Sequence, residues 1–347
     1  MKIMSKDIQL TGLGNALIDL QLMVKDEDLT NLKFEKGTMT LVDFDKQKEI
    51  INTFAIKDHH KMSGGSAANT IISFANLGGK AAYKSHLGND ELGEFYANEF
   101  EELGIILNAA KIDNDLTGTS FVLITPDSER TMITALGANT KHSTEHIDED
   151  IIKRSEWIYI EGYKLTDPKS AEAVFLTVEL AKKHNTKIAM SVSDKFIVDF
   201  FREPLDKLIQ SSDLVFCNEL EGKTLTGKDK TLESFEKLIE IVPNVAFTLG
   251  EKGSLLCWEG QKMHIPSYPA KLIDTTGAGD MFAGGFLFGI ITSNNPMYAG
   301  HLASMASANI VSQLGARMKD DIKVLKSEID NKEKLGELKE YFKTFSE

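Results

Sequence analysis

Cysteine is scarce: only Cys217 and Cys257 occur among 347 residues. Each sits in a short apolar run, LVFCN and LLCW, without the basic neighbours that activate a thiol. That excludes a disulfide-stapled scaffold and leads us to expect buried free thiols in a reducing cytoplasm. Long hydrophobic runs are also missing. The longest apolar stretch, Met281 to Ile291, is far shorter than the ~20 residues needed to cross a bilayer. The opening MKIMSKDIQLTGLG has no apolar core and no small-residue cleavage site, so no secretory leader is expected. Positive charge is in deficit, with 39 Lys and Arg against 52 Asp and Glu and a formal net charge of -13. Such a surface argues against nucleic acid or anionic membrane as partners. It also obliges any anionic substrate to find a locally basic or amide-rich pocket.

What remains is ordinary globular material, 42% hydrophobic and 26% charged, ample for a sizeable core. No repeats, low-complexity tracts or linkers interrupt it, so a single domain over 1–347 is expected. Trp157-Ile160, Lys187-Val192, Leu214-Cys217 and Val245-Leu249 read as buried strands. Between them, Ala171, Val174, Val178 and Ala181 recur at helical spacing. Strand, helix, strand in succession predicts an α/β fold with a mostly parallel sheet covered on both faces. Two stretches break this rhythm. Residues 14–44 hold short strands split by the charged run Lys25-Asp28. Residues 116–135 hold Thr119-Thr125 and Arg130-Ala135 joined by Pro126-Asp127-Ser128, a hairpin signal. These strands suit a small lid over a cleft. From about Lys319 the composition suggests a solvated terminal helix.

Three apparent motifs fail on inspection. Gly12-Leu13-Gly14 lacks the third glycine of a dinucleotide fingerprint, because position 17 is Leu17. Gly222-Lys223-Thr224 resembles the end of a P-loop, but Cys217 stands where the first glycine belongs. His142 and His146 have helical spacing, yet Glu145 is misplaced for HExxH and no third ligand is evident, so solvated histidines are expected.

The segment IDTTGAGDMFAGGFLFG, residues 273–289, carries more. Glycines lead into an apolar run with Phe282, Gly285, Phe286 and Gly289 on one face, as expected of a loop entering a helix. The unpaired amides and partial positive charge of a first helical turn suit an anion. Gly277, Ala278 and Gly279 can therefore hold a phosphate. Asp280, in the first turn, is expected to stay ionised. It reads equally as a general base beside that anion hole or as an ordinary helix-start carboxylate. A second cluster, Gly64-Gly65-Ser66-Ala67-Ala68-Asn69, also opens a helix. It reads either as a hydroxyl-binding turn using Asn69, or as a plain helix start with Ser66 near the cap. Asp19, alone in an apolar run, needs a partner or a ligand, and two neighbouring hydroxyls would suit it.

Together these residues resemble the ribokinase-like, or PfkB, family of carbohydrate and nucleoside kinases. The resemblance rests on Asp274-Thr275-Thr276-Gly277-Ala278-Gly279-Asp280 with Gly284-Gly285, and on Gly64 to Asn69 followed by Gly78, Gly88, Asp90 and Gly93. It rests further on Asn218-Glu219-Leu220-Glu221 and on Thr248-Leu249-Gly250-Glu251-Lys252-Gly253, in family order over roughly 10–318. It implies a doubly wound body with a β lid, ATP as co-substrate, and Asp280 as the base that activates an acceptor hydroxyl. Gly277, Ala278 and Gly279 would stabilise the phosphoryl group. Asn218 and Glu221 would hold Mg²⁺ through water, while Thr248, Gly250 and Gly253 would border the nucleotide. Asp274 and Thr276 resemble positions that take a monovalent cation such as K⁺ in some members.

The adenosine-kinase branch is the most similar, through Gly14-Asn15-Ala16-Leu17-Ile18-Asp19, Thr117-Gly118-Thr119, Glu129-Arg130-Thr131 and Ile160-Glu161-Gly162-Tyr163. On that likeness Asp19 binds ribose hydroxyls with Gly64, Gly65, Ser66 and Asn69, Tyr163 packs on adenine, and Arg130 reaches the ATP phosphates. Ala67-Ala68 replaces the bulkier pair of animal adenosine kinases and is closer to the sugar-kinase form. Adenosine is thus the expected acceptor, with ribose, fructose or a keto-deoxy sugar acid as the alternative. A monomer or a homodimer is compatible with the family.

Overall fold

The computed structural model describes residues 6–54, 60–127, 129–318 and 321–345. In chain order the strands are β1 (Ile8–Leu13), β2 (Leu17–Met23), β3 (Met39–Leu41), β4 (His60–Gly64), β5 (Ala81–Gly88), β6 (Ile106–Ile112) and β7 (Gly118–Ile124). They continue with β8 (Arg130–Ala135), β9 (Ser155–Glu161), β10 (Lys187–Ser191), β11 (Leu214–Asn218), β12 (Val245–Thr248), β13 (Ser254–Trp258) and β14 (Gln261–Ile265). A nine-stranded sheet runs β14-β13-β12-β11-β10-β9-β1-β5-β6. Its pairs are parallel from β12 through β6, and the β12–β13 and β13–β14 pairs are antiparallel, so β13 alone of these strands is reversed.

Period-two alternation divides the core between the two faces of this sheet. On β9, Trp157 and Tyr159 join one hydrophobic cluster while Ile158 and Ile160 join the other. Helices Ser66–Asn76, Ala278–Ser293 and Pro296–Ile310 cover the first face. Helices Pro168–Lys183, Arg202–Ser211 and Thr231–Ile239 cover the second. Both layers are those expected of the ribokinase-like fold.

Five further strands form a separate sheet in the order β3-β8-β7-β2-β4. It gathers both stretches that broke the rhythm of the sequence. The β7–β8 hairpin pairs Ile124 with Arg130, and Ser128 in its turn lies outside the described residues. β4 was not anticipated. It pairs antiparallel with β2 as an edge strand, and only Gly65 separates it from helix Ser66–Asn76.

Other expectations are corrected. Helix Ala278–Ser293 is buried all round from Met281 to Ile290 rather than amphipathic, because helices pack on it from two sides. His142 is buried rather than solvated: its Nδ1 lies 3.0 Å from Ser170 Oγ and its ring packs edge-on against His86. The terminal helix, Ile322–Lys334, is only partly solvated, since Ile322 and Ile329 join the main core; Lys319 lies outside the described residues. Among the described residues no helix is long and apolar enough to cross a membrane.

Helix Ala278–Ser293 is held by close backbone approach. A Cβ on Gly289 would lie 2.5 Å from Ala299 Cα, so the crossing with helix Pro296–Ile310 tolerates only hydrogen there. We expect Gly289→Val to force the helices apart and to cost ~2–3 kcal/mol of stability, read as a lowered midpoint in chemical denaturation at unchanged slope.

Candidate functional site

Parallel strands end together, and the chain leaving them builds the site at that edge. Glu161, Ser191, Asn218 and Thr248 close β9, β10, β11 and β12, and Asn15 lies just past β1; all of them line one cavity of about 300 Å³. Its opposite wall comes from the second sheet through Leu17, Asp19, Met39, Leu41, Arg130 and Met132. Gly65, Ser66, Asn69, Tyr163, Glu221, Thr276, Gly277, Ala278, Gly279 and Asp280 complete it.

Gly277 adopts φ 73° and no side chain among the described residues caps helix Ala278–Ser293; Ala278 N donates to Thr275 O at 3.2 Å, while the Gly279 and Asp280 amides face no such partner. The preceding turn is braced from within. Asp274, fully buried, accepts bonds from Thr276 N at 2.8 Å, Thr276 Oγ at 2.5 Å and Gly315 N at 2.8 Å. Oδ1 carries two of these bonds and Oδ2 one, so the carboxylate ties Thr276 and Gly315 into the turn. Arg130 Nε stands 3.9 Å from Asp274 Oδ1 and is buried without a hydrogen-bond partner among the described residues, and the side chain lines the cavity.

Asp280 is gripped at both oxygens. Ser66 Oγ donates to Oδ1 at 2.7 Å and Asn69 Nδ2 donates to Oδ2 at 2.8 Å. Burial pushes its carboxyl above the usual range, while Ser66, Asn69, Arg130 and Arg317 pull it back. The ionised state expected from the helix terminus is therefore opposed by desolvation. Ser66 proves to be the first helical residue rather than the cap, which is Gly65 at φ 99°.

Asp19 is different. Burial raises its carboxyl to about 6, offset by Arg317 and Arg130, yet no donor among the described residues hydrogen-bonds it. Gly64 does not line the cavity; a Cβ there would lie 2.4 Å from the Asp19 carboxyl, so its role is to make room for that group.

The Asn218–Glu221 element is a reciprocal capping box. Glu221 N donates to Asn218 Oδ1 at 2.8 Å, and Asn218 N and Nδ2 donate to the two Glu221 oxygens at 3.0 and 2.8 Å. Glu221 is buried, pushed up to about 7 by desolvation with Asp194 adding to it, and no cation among the described residues pairs with it. Buried carboxylate oxygens with this deficit of positive charge fit a hydrated Mg²⁺ held through water. Thr248 lines the cavity, whereas Gly250 and Gly253 lie beyond it in the β12–β13 turn. Gly253 has φ 87°, and a Cβ would meet Ile265 O at 2.1 Å, so it serves the turn itself.

Tyr163 reaches the cavity with its hydroxyl 3.3 Å from Asp194 Oδ2. Ala67 and Ala68 are fully buried and line no part of the cavity, so the small pair does not enlarge it. Sequence reasoning passed over Glu161, Lys164 and Arg317. Glu161 accepts from Asn15 N at 2.7 Å and Ala67 N at 2.9 Å, tying two cavity loops together. Lys164 lies beneath it, fully buried, and donates to Asn15 Oδ1 at 3.0 Å. A carboxylate closing an apolar strand was the available signal for Glu161.

Burial raises Glu161 to about 7, above its unfolded value of 4.5, so the native state holds the extra proton. Its contribution to stability is full below about 4.5 and is lost as pH rises toward 7. We expect Glu161→Gln to flatten that fall in a pH series of denaturation midpoints; an unchanged slope would contradict the assignment.

The sequence profile of the pfkB family of carbohydrate kinases matches residues 37–322. The ribokinase of Haemophilus influenzae is 29% identical over 265 residues, covering 73% of this chain and 82% of its own. The crystal structure of adenosine kinase from Sinorhizobium meliloti superposes with a TM-score of 0.88 at 29% identity, covering 92% of this chain and 99% of that one. A probable sugar kinase from Rhizobium etli superposes with a TM-score of 0.88 at 28% identity, covering 96% of this chain and 99% of that one.

Proposed function

The chain belongs to the pfkB family of carbohydrate kinases, phosphotransferases with an alcohol acceptor, and on that footing we propose that it phosphorylates the primary hydroxyl of a nucleoside, adenosine in the first place. The observation that carries this reading is Asp19: a buried carboxylate without an internal donor, facing a cavity. Such a group needs donors in pairs, which the vicinal hydroxyls of a ribose supply. Above it Leu17, Met39, Leu41, Met132 and Leu136 form an apolar wall, suited to a flat base and larger than a free sugar needs. Tyr163 lies along the same cavity.

Chemistry then follows from the other end. The acceptor hydroxyl takes over the Asp280 Oδ1 position now bonded by Ser66. Asp280 removes its proton as the oxygen attacks the γ-phosphorus of ATP, and the bond to the ADP oxygen breaks. The amides of 277–279 and the Arg130 guanidinium take up the negative charge on the transferring group. Asn218 and Glu221 would hold Mg²⁺ through water, and the ion would supply positive charge against the ATP phosphates. Thr248 borders the nucleotide. Asp274 and Thr276, beside the phosphate turn, are where a monovalent cation such as K⁺ would bind. A reducing cytoplasm suits the buried thiols Cys217 and Cys257. The alternative, a free sugar or keto-deoxy sugar acid, draws support from the ribokinase relative and the probable sugar kinase fold.

Two measurements test the reading. With ATP and Mg²⁺, adenosine should be turned over and should raise the melting temperature, whereas ribose, fructose and keto-deoxygluconate should do neither; the reverse order would select the sugar reading. Asp280→Asn, which keeps shape and removes basicity, should lower kcat by at least ~10³-fold, and a loss below tenfold would sink the base role. Because burial raises Asp280, and the base acts only when ionised, kcat/KM should fall on the acid side at a pH above the ordinary carboxylate range.

A further inference from the structure

Arg317 lies in the segment after helix Pro296–Ile310, outside every motif singled out in the sequence, and its side chain is only 15% exposed. Nη1 donates to Asn69 Oδ1, while Nη2 donates to Ser63 O at 2.5 Å and Ser63 Oγ at 2.7 Å. Nε stands 3.5 Å from Glu99 Oε1. All three guanidinium nitrogens are thus engaged, and the link toward the reacting groups runs through Asn69.

An amide has one acceptor end and one donor end. With Oδ1 held on the guanidinium, Nδ2 must face Asp280 Oδ2, where it lies at 2.8 Å. A flipped amide would set NH₂ against the cation and oxygen against the carboxylate, losing both bonds. We propose that Arg317 is a positioning residue for the reaction: through Asn69 it holds Asp280 Oδ2, so that Oδ1, where the Ser66 hydroxyl now sits, is the oxygen that receives the acceptor proton. The same short segment braces the phosphate turn, since Gly315 N donates to Asp274 Oδ2 at 2.8 Å and Ala316 packs on Gly277. One stretch of chain, 315–317, therefore braces both the Asp280 carboxylate and the turn at Gly277. This inference rests on Asp280 being the base, but not on which acceptor is used.

Arg317 also acts by charge. The groups around Asp280 are Ser66 and Asn69 on the helix beneath it, Arg130 on β8, Asp19 on β2, Tyr159 and Glu161 on β9, Tyr163 beyond β9, and Arg317. Asp19 and Asp280 thus share two arginines, while Glu161 has Lys164. Removing one cation makes ionisation of Asp280 harder, so its titration moves to higher pH.

The test compares Arg317→Gln and Arg317→Lys, alone and with Asn69→Ala, after melting curves establish that each variant is folded. We expect Arg317→Gln to lower kcat by about 10–100-fold with KM for ATP within about twofold. Its loss should not multiply with that of Asn69→Ala, because both break one linkage. Carboxyl-carbon NMR of Asp280 should show a raised titration in Arg317→Gln and a near-native one in Arg317→Lys. An Asp280 that titrates as in the wild type, or losses that multiply in the double variant, would overturn the proposal. The NMR measurement needs no turnover, so it remains decisive even if the chosen acceptors are not substrates.

Discussion

Carboxylates gathered in a half-buried cleft repel one another, and burial makes each harder to ionise. Asp19, Glu161, Glu221, Asp274 and Asp280 all lie in or beside one cavity of a chain that is already strongly acidic. The fold answers for each separately. Asp274 is met by two amides and a hydroxyl, Glu161 by two amides with Lys164 close by, and Glu221 by its own capping box. Asp280 has Ser66 and Asn69. Asp19 alone has no donor among the described residues. The pattern of satisfaction therefore sets Asp19 apart from the four carboxylates that the fold itself meets.

The same crowding explains why the anion end needs amides. Arginines 130 and 317 supply the positive charge nearest Asp280, and Arg317 is spent on Asn69, Ser63 and Glu99. The first turn of helix Ala278–Ser293 adds partial positive charge without adding a side chain. That helix can enter the cleft at the required depth because Gly289 lets helix Pro296–Ile310 approach it backbone to backbone. Packing far from the cavity thus sets where the turn at 277–279 sits.

Much of this was legible in the chain. The strands over 157–160, 187–192, 214–217 and 245–249 were visible as apolar runs, because strands buried on both faces leave no other pattern. The turn before Asp280 was visible because glycines and a helix start lie together in sequence. What stayed hidden depends on distant partners. Ser66 and Asp280 are 214 positions apart, and Arg317 and Asn69 are 248 apart. No local spacing encodes such pairs. β4 was missed because Lys61-Met62-Ser63 carries no strand pattern and its pairing with β2 supplies the order. The all-round burial of helix Ala278–Ser293 was missed because its second covering layer comes from elsewhere in the chain.

The passage from β4 to helix Ser66–Asn76 is a single residue long. β4 belongs to the second sheet, whereas the helix is anchored in the main core by Ile71 and Phe74, and Gly65 between them holds φ 99°. No slack loop separates the two bodies at this point. A tilt of the second sheet is therefore levered through one peptide unit onto the first turn of the helix, where Ser66 touches Asp280. The position of that sheet and the Ser66–Asp280 hydrogen bond are thereby mechanically coupled.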